Sequence, residues 1–279
     1  MKKRILFLTL CFICLLFVTP LLIMFTSSFM GAGELSETYG GVLNNGDEGI
    51  RFALFPQYPT LRAYVELLLD SPGFFVMFWN SCKQVFPVLI GQLLVSVPAA
   101  WAFAQYEFKG KKILYFFYMI LMIMPFQVTM VSTYLVLSKL HILNTHLAVI
   151  LPGIFSAFPV FILTKFFKSI PKPLIEAAKI DGASDFQVFL KIGIPLGYPG
   201  ILSVLILGFL EYWNAIEQPM TFLQEKELWP LSLYLPNIAV DKVSVSFVAS
   251  VIMMIPAILI FIFGQRYLEE GIAASGLKE

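Results

Sequence analysis

Six stretches of the chain run for twenty residues or more with little charge: residues 5–29, 85–104, 113–137, 147–167, 196–223 and 243–263. In helical geometry about twenty residues cover the roughly 30 Å hydrocarbon core of a bilayer. Within lipid, the backbone amides of such a run are satisfied only by the run's own helix. The sequence therefore predicts an all-α, polytopic membrane helix bundle with six transmembrane helices. Composition agrees, with 58% hydrophobic and only 13% charged residues, against about a quarter charged in soluble domains. Disordered chains are polar and charge-rich, and nucleic-acid binders need a basic surplus. Nineteen Lys and Arg against eighteen Asp and Glu leave a net charge of +1 and exclude both classes. The first run follows Lys2, Lys3 and Arg4, as a secretory signal would. It is about twice the length of a signal's apolar region and has no small-residue cleavage site, so it reads as an uncleaved first helix.

Charge asymmetry orients the helices, because cytoplasmic flanks collect Lys and Arg. With the N-terminus inside, the inner segments hold thirteen of the nineteen basic residues, among them Lys109, Lys111, Lys112, Lys165, Lys168, Lys172, Lys179 and Lys191. Both termini are therefore expected inside. The first outer segment, residues 30–74, carries six acidic residues against Arg51 and Arg62 and is rich in Gly and Asn. It is expected as a solvated extracytoplasmic loop within a 30–84 segment that has room for an interfacial helix. Residues 85–268 would then form the core domain and 269–279 a cytoplasmic tail. Prolines recur in or beside the apolar runs at Pro20, Pro98, Pro125, Pro152, Pro159 and Pro256. Each removes a helical hydrogen bond and kinks its helix, which fits either irregular packing or a domain that flexes. Cys11 and Cys14 stand one helical turn apart. No Cys or His cluster completes a redox or metal site around them, so they read as small lipid-compatible side chains.

The inner segment 168–196 has the most specific local pattern. Pro171 and Pro173 suit a helix start, where a missing N–H costs little. Glu176 is expected in the first turn, where the helix dipole favours a negative charge. Ala177 and Ala178 are strong helix formers with little side chain and would let another surface approach closely. Gly182 suits the left-handed residue that stops a helix. Ser184 and Gln187 form a capping box that starts a second helix, and Pro195 precedes the fifth span. The segment should fold as helix, sharp turn, helix, either as an amphipathic pair at the lipid headgroups or as a knob gripped by a soluble partner.

The fifth run holds an unusual polar cluster: Glu211, Tyr212, Trp213, Asn214, Glu217 and Gln218. A carboxylate inside a span costs about 2.5–3.5 kcal/mol on insertion scales, so it normally faces a cavity or a partner group. In one continuous helix Glu211, Asn214 and Gln218 would share a face. Glu and Asn can hydrogen-bond a hydroxyl-rich solute, and Tyr212 and Trp213 could stack on a sugar ring or simply pack. His141 and His146, the only histidines, are expected in a short outer loop and offer no support for an active site.

The run Glu176-Ala-Ala-x-x-Asp-Gly-Ala, followed by Ile194-Pro195-Leu196, resembles the EAA loop of ABC-importer permeases. Phe166-Phe-Lys-Ser-Ile-Pro171 is similar to the version in the carbohydrate branch, the MalG-like group. The likeness continues through Asn80-Ser81, Tyr106-x-Phe108-Lys-Gly110, Met122-Ile-Met-Pro125, Leu143-Asn-Thr145, Leu151-Pro152, Trp213-Asn214 and Gln265-Arg-Tyr-x-x-Glu270-Gly271, covering residues 75–279 in register. The resemblance implies that Glu176, Ala177, Ala178, Asp181, Gly182, Ala183 and Pro195 belong to an element that couples to an ABC ATPase dimer. Glu176 would anchor it and Gly182 would set its bend. It further implies a second homologous permease subunit, an extracytoplasmic solute-binding protein, a sugar-like solute and import as the direction. No G-x-x-x-x-G-K-[ST] run is present, so ATP and Mg are expected on the partner, with no cofactor, metal or catalysis on this chain. The chain departs from the branch at Ala215, where an acid commonly follows Trp-Asn, and instead has Glu211 and Glu217. This leaves open whether the solute is an oligosaccharide, a monosaccharide, a glycerol-phosphate-like polyol or another compound, and two acids in the cavity disfavour an anionic solute unless they are neutral or paired. A stand-alone secondary transporter would carry inverted repeats, which are not evident, and would leave the loop unexplained. A structural scaffold would leave Glu211 unexplained.

Overall fold

The computed structural model describes residues 2–43, 53–235 and 242–275, and among these the ordered elements are all helical. In chain order they are α1 (Lys2–Ser27), α2 (Ala32–Leu43), α3 (Arg62–Leu69), α4 (Pro72–Gln105), α5 (Lys111–Ile123), α6 (Phe126–Lys139), α7 (His146–Ile154), α8 (Ala157–Lys168), α9 (Lys172–Ile180), α10 (Asp185–Val188), α11 (Ile194–Trp213), α12 (Glu217–Phe222) and α13 (Val243–Ser275). Five helical stretches among the described residues are long and apolar enough to cross a membrane, and six if the bent pair α5 and α6 counts as one. All six predicted spans are thus represented, but three are not the simple rods expected.

The predicted third span breaks at Met124 and Pro125, with α5 and α6 bent by 105°. Pro125 takes extended backbone (φ −67°, ψ 150°) as the cap of α6 and cannot continue the ladder of α5. The fourth is interrupted at Phe155 and Ser156, between α7 and α8. The fifth ends at Trp213 instead of reaching residue 223, and its last residues form the separate short helix α12. It also begins earlier than expected. α10 passes through a π-helical turn, Phe189–Gly193, straight into α11, so the second loop helix and the fifth span are one continuous rod. Pro195 therefore sits inside this rod and not ahead of it. The wider π turn just before it makes room where a proline ring would collide with the preceding turn.

The chain divides into two units, Met1–Met77 with Leu233–Pro256, and Phe78–Ser232 with Ala257–Glu279. In the first, α1 exposes apolar side chains all round, including Phe7, Phe12 and Phe17, as expected of a helix solvated by lipid. The described parts of the first outer segment, residues 30–43 and 53–74, are not the plain solvated loop expected from their composition. They bury Met30, Leu35, Ala63, Leu67 and Phe74. Ser28 and Tyr64 join their hydroxyls at 2.8 Å, and the Glu34 carboxylate accepts the Gln57 N–H at 2.6 Å. Asp47 and Glu48, two of the six acids of this segment, and Arg51 lie outside the described residues.

In the second unit, Trp101 and Phe103 of α4, Leu163 and Phe167 of α8, Ile170 and Val188 are buried together in one core cluster. Trp101 meets Phe167 edge-on with ring centroids 5.4 Å apart. Glycines allow α11 to lie close to α8: a Cβ on Gly200 would fall 2.5 Å from Cγ of Phe166, and one on Gly197 would meet Phe167. Without a hydrophobic drive between helices in lipid, such small-residue contacts are what hold them together.

Candidate functional site

The segment between α8 and α11 folds as helix, turn, helix, for the local reasons expected. Pro171 caps α9 and Pro173 occupies its second position. The Gly182 N–H donates to the Lys179 carbonyl at 3.1 Å and the Ala183 N–H to that of Ala178 at 2.9 Å. This is a complete Schellman motif, with Gly182 at φ +84°. The capping box closes with Gln187 N–H donating to Ser184 Oγ at 3.3 Å and Ser184 N–H to Gln187 Oε1 at 2.9 Å. Lys179 and Asp185 pair across the turn at 2.7 Å, and the hydrogen bond to Asp185 raises Lys179 above the ordinary lysine range.

Two expectations for this segment are corrected. Glu176 is the fifth residue of α9, which begins at Lys172, so the first turn carries no acid and gains nothing from this charge. Ala178 does not face outward with Ala177. Ile175, Ala178 and Ala183 pack on the Trp101 core, which leaves Glu176, Ala177, Asp181 and Gly182 on the exposed side. That side also carries Leu174, Ile180 (86% exposed) and Phe186 (67% exposed). One face of the loop thus grips the spans, and the other offers apolar side chains beside a carboxylate.

A second feature forms where the three interrupted helices meet. A cavity of about 500 Å³ is lined by Met124 and Phe126 at the first break, Phe155 and Ser156 at the second, and Glu211, Tyr212 and Gln218 around the third. Thr129 and Thr133 of α6 add hydroxyls to its wall. Tyr212 is buried, with its hydroxyl held by Gln92 Nε2 at 3.2 Å, and Gln92 also donates to the Gly153 carbonyl at 2.9 Å. The Gln218 Oε1 is buried with no hydrogen-bond partner among the described residues. Glu211 lies in the last turn of α11, because the helix ends at Trp213 and does not run on to residue 223. An acid there opposes the helix dipole, at about 0.3–1 kcal/mol, so local helix stability does not explain its presence.

The polar cluster of the fifth run is only partly brought together. Glu211, Tyr212 and Gln218 reach the cavity, but not by sharing one helix face, because Gln218 belongs to α12. Trp213 is buried, stacked on Phe209 at 5.2 Å, and packs the core. Asn214 ends α11 and donates to the Leu210 carbonyl at 2.8 Å. Glu217 accepts two hydrogen bonds from Gln127 Nε2, at 2.7 and 2.8 Å, tying α12 to α6. Gln127, Thr129, Thr133 and Ser156 were missed. Gln127 stands two residues after Pro125, and Ser156 between Pro152 and Pro159, but nothing in the sequence singles out Thr129 or Thr133. Asn80 and Gln84, in contrast, are structural: Asn80 donates to the carbonyls of Glu227 (2.6 Å) and Trp229 (3.1 Å) and Gln84 to that of Leu228 (3.0 Å). His146 opens α7 and meets Gln84 at 3.2 Å.

Interrupted spans that enclose a polar-edged cavity are the build of a membrane transport protein. Residues 92–274 match the family described as binding-protein-dependent transport system inner membrane component, and the chain belongs to that family. The arabinooligosaccharides transport system permease protein AraQ of Halalkalibacterium halodurans is 29% identical, over 96% of this chain and 93% of its own length. A probable ABC transporter permease protein of Pyrococcus horikoshii is 33% identical over 77% of this chain and 80% of its own. The lactose transport system permease protein LacG of Rhizobium radiobacter is 27% identical over 80% of each chain. In three dimensions the chain is similar to one from a bacterial ABC transporter involved in the import of the acidic polysaccharide alginate. The TM-score is 0.81 at 22% identity, covering 95% of this chain and 96% of that one, a likeness of fold.

Proposed function

We propose that this chain is one of two related permease subunits of an ATP-driven importer for a sugar or related polyhydroxylated solute. Both termini face the cytoplasm, in line with the Lys and Arg distribution. The exposed face of residues 171–191, with Glu176, Ala177 and Gly182, docks on a partner ATPase that binds ATP and Mg, and an extracytoplasmic binding protein delivers the solute. The class of solute is drawn from relatives whose names specify arabinooligosaccharides, galactooligosaccharides and lactose. The observation that carries the reading is the cavity at the three helix breaks, bordered by Glu211, Tyr212, Gln218 and two threonines. Carboxylate, amide and hydroxyl groups exchange hydrogen bonds with sugar hydroxyls, and the tyrosine ring offers an apolar face. ATP-driven uptake in vesicles tests it. Glu211→Ala should lower uptake or change which sugar is carried while the subunits still assemble, and Glu176→Lys should separate ATP hydrolysis from uptake. Unchanged uptake of every sugar tried by the Glu211→Ala protein would refute the cavity as the solute path.

A further inference from the structure

A second cavity, of about 470 Å³, lies where α4 ends and α5 and α9 begin, and it has a different chemistry from the first. Lys111, Lys112, Lys168 and Lys172 line it together with Glu107 and Tyr115. Four lysines thus line a cavity that holds a single carboxylate. That carboxylate is already engaged by Lys111 at 2.8 Å, and the hydrogen bond to Lys111, with Lys112 and Lys172 nearby, holds Glu107 below the ordinary carboxylate range. Lys168 sits over the Tyr115 ring, 5.1 Å from its centroid. Among the described residues no acidic side chain pairs with Lys112, Lys168 or Lys172.

The setting indicates what neutralises them. Directly after Lys112, α5 exposes Ile113, Leu114, Phe116 and Phe117, an apolar surface suited to lipid. Phe103 and Ile170 line the cavity together with the lysines. The cations therefore ring the point where an apolar helix face meets water, the depth at which phospholipid phosphates lie. A soluble anion would have no use for the adjoining apolar surface. Basic pockets between membrane helices at this level are suited to anionic headgroups. We propose that this cavity binds the phosphate group of an anionic phospholipid, which spans Lys112, Lys168 and Lys172 and links α5, α8 and α9.

The test is lipid binding by the full-length protein purified in detergent, read by native mass spectrometry during titration with phosphatidylglycerol or phosphatidylcholine. Phosphatidylglycerol should bind preferentially, and the preference should weaken as salt is raised. Each lysine near an anionic lipid surface is worth about fivefold in association. The triple variant K112Q/K168Q/K172Q should therefore lose the preference by tenfold or more. K112R/K168R/K172R should keep it, which separates loss of charge from loss of fold. K83Q/K139Q/K226Q, with the same change in net charge, should keep it as well. Equal binding of both lipids by the native protein, or full retention of the preference by K112Q/K168Q/K172Q, would overturn the proposal. Displacement of the lipid by inorganic phosphate, with matching phosphate binding in lipid-free protein, would assign the site to a soluble anion and overturn it too.

Discussion

Gly182 allows a prediction whose size follows from backbone geometry alone. It holds φ +84° at the stop of α9, a left-handed conformation that costs a non-glycine L-residue roughly 1–2 kcal/mol. A Cβ added there would meet no atom within 4 Å, so Gly182→Ala adds no steric penalty and the backbone term stands alone. A cost of one or two kcal/mol is a factor of about 5–30 in a local equilibrium. The bonds at risk are the N–H groups of Asp181, Gly182 and Ala183, which donate to the carbonyls of Ala177, Lys179 and Ala178. Hydrogen–deuterium exchange of a peptide covering these amides should therefore be about 5–30-fold faster in Gly182→Ala. Amides in the middle of α4 should not change. Asn tolerates left-handed backbone better than Ala, so Gly182→Asn should exchange more slowly than Gly182→Ala. Equal exchange in the native and Gly182→Ala proteins, or equal acceleration by Asn and Ala, would refute the claim that backbone geometry at this residue holds the turn.

Further substitutions probe helix packing and a buried side-chain anchor. Gly200→Ala should lower thermal stability in detergent by about 1–3 kcal/mol of overpacking, because its Cβ would fall 2.5 Å from the Phe166 ring. Gly33→Ala, with no atom within 4 Å of the new Cβ, should not. Asn80→Ala removes the donor for both the Glu227 and Trp229 carbonyls. With Asn80 buried, about 1–3 kcal/mol should be lost, read as a lower melting temperature and faster proteolysis around residues 225–230.

Local backbone chemistry was legible in the sequence, and the path of the spans was not. The stop at Gly182 and the capping box at Ser184 and Gln187 depend on residues within a few positions of each other, so pattern alone finds them. Hydropathy, in contrast, is nearly blind to a break. The run 113–137 stays apolar across Met124 and Pro125, and proline announces a kink but not a 105° bend. The same blindness merged α11 with α12 and put Glu211, Asn214 and Gln218 on one imagined helix face. The cavity was therefore only half readable: Glu211 stood out as a charge in an apolar run, whereas Thr129, Thr133 and Ser156 became visible only once the breaks brought them together. Residues 30–74 misled in the opposite sense. Their composition is polar, but Ala63 and Leu67 repeat at the helical i, i+4 spacing and are both buried.

The continuity of α10 with α11 joins the loop and the cavity through one helical rod. At its start the rod buries Val188 in the Trp101 core beside Ala178 and Ala183 of the loop, and near its end it carries Glu211 and Tyr212 to the cavity. Under the proposed function, a displacement imposed on the loop passes to the cavity along this one helix, provided that the register through the π turn Phe189–Gly193 is kept. Inserting one alanine after Leu190, which is 43% exposed, tests that condition. The π turn already holds one residue more than an α-turn, and an α-helix advances about 100° per residue, so a further residue would turn α10 by about that angle relative to α11. Val188 would leave its buried position, and the Schellman turn before Ser184 would be aimed elsewhere. Helix content by circular dichroism should change little, because the rod gains only one residue. ATP-driven uptake should fall to background even though Glu211, Tyr212 and Gln218 are untouched. Uptake at the native level from the lengthened rod would mean that the orientation of α10 is not transmitted through α11, and the mechanical link between loop and cavity would have to run through α8 instead.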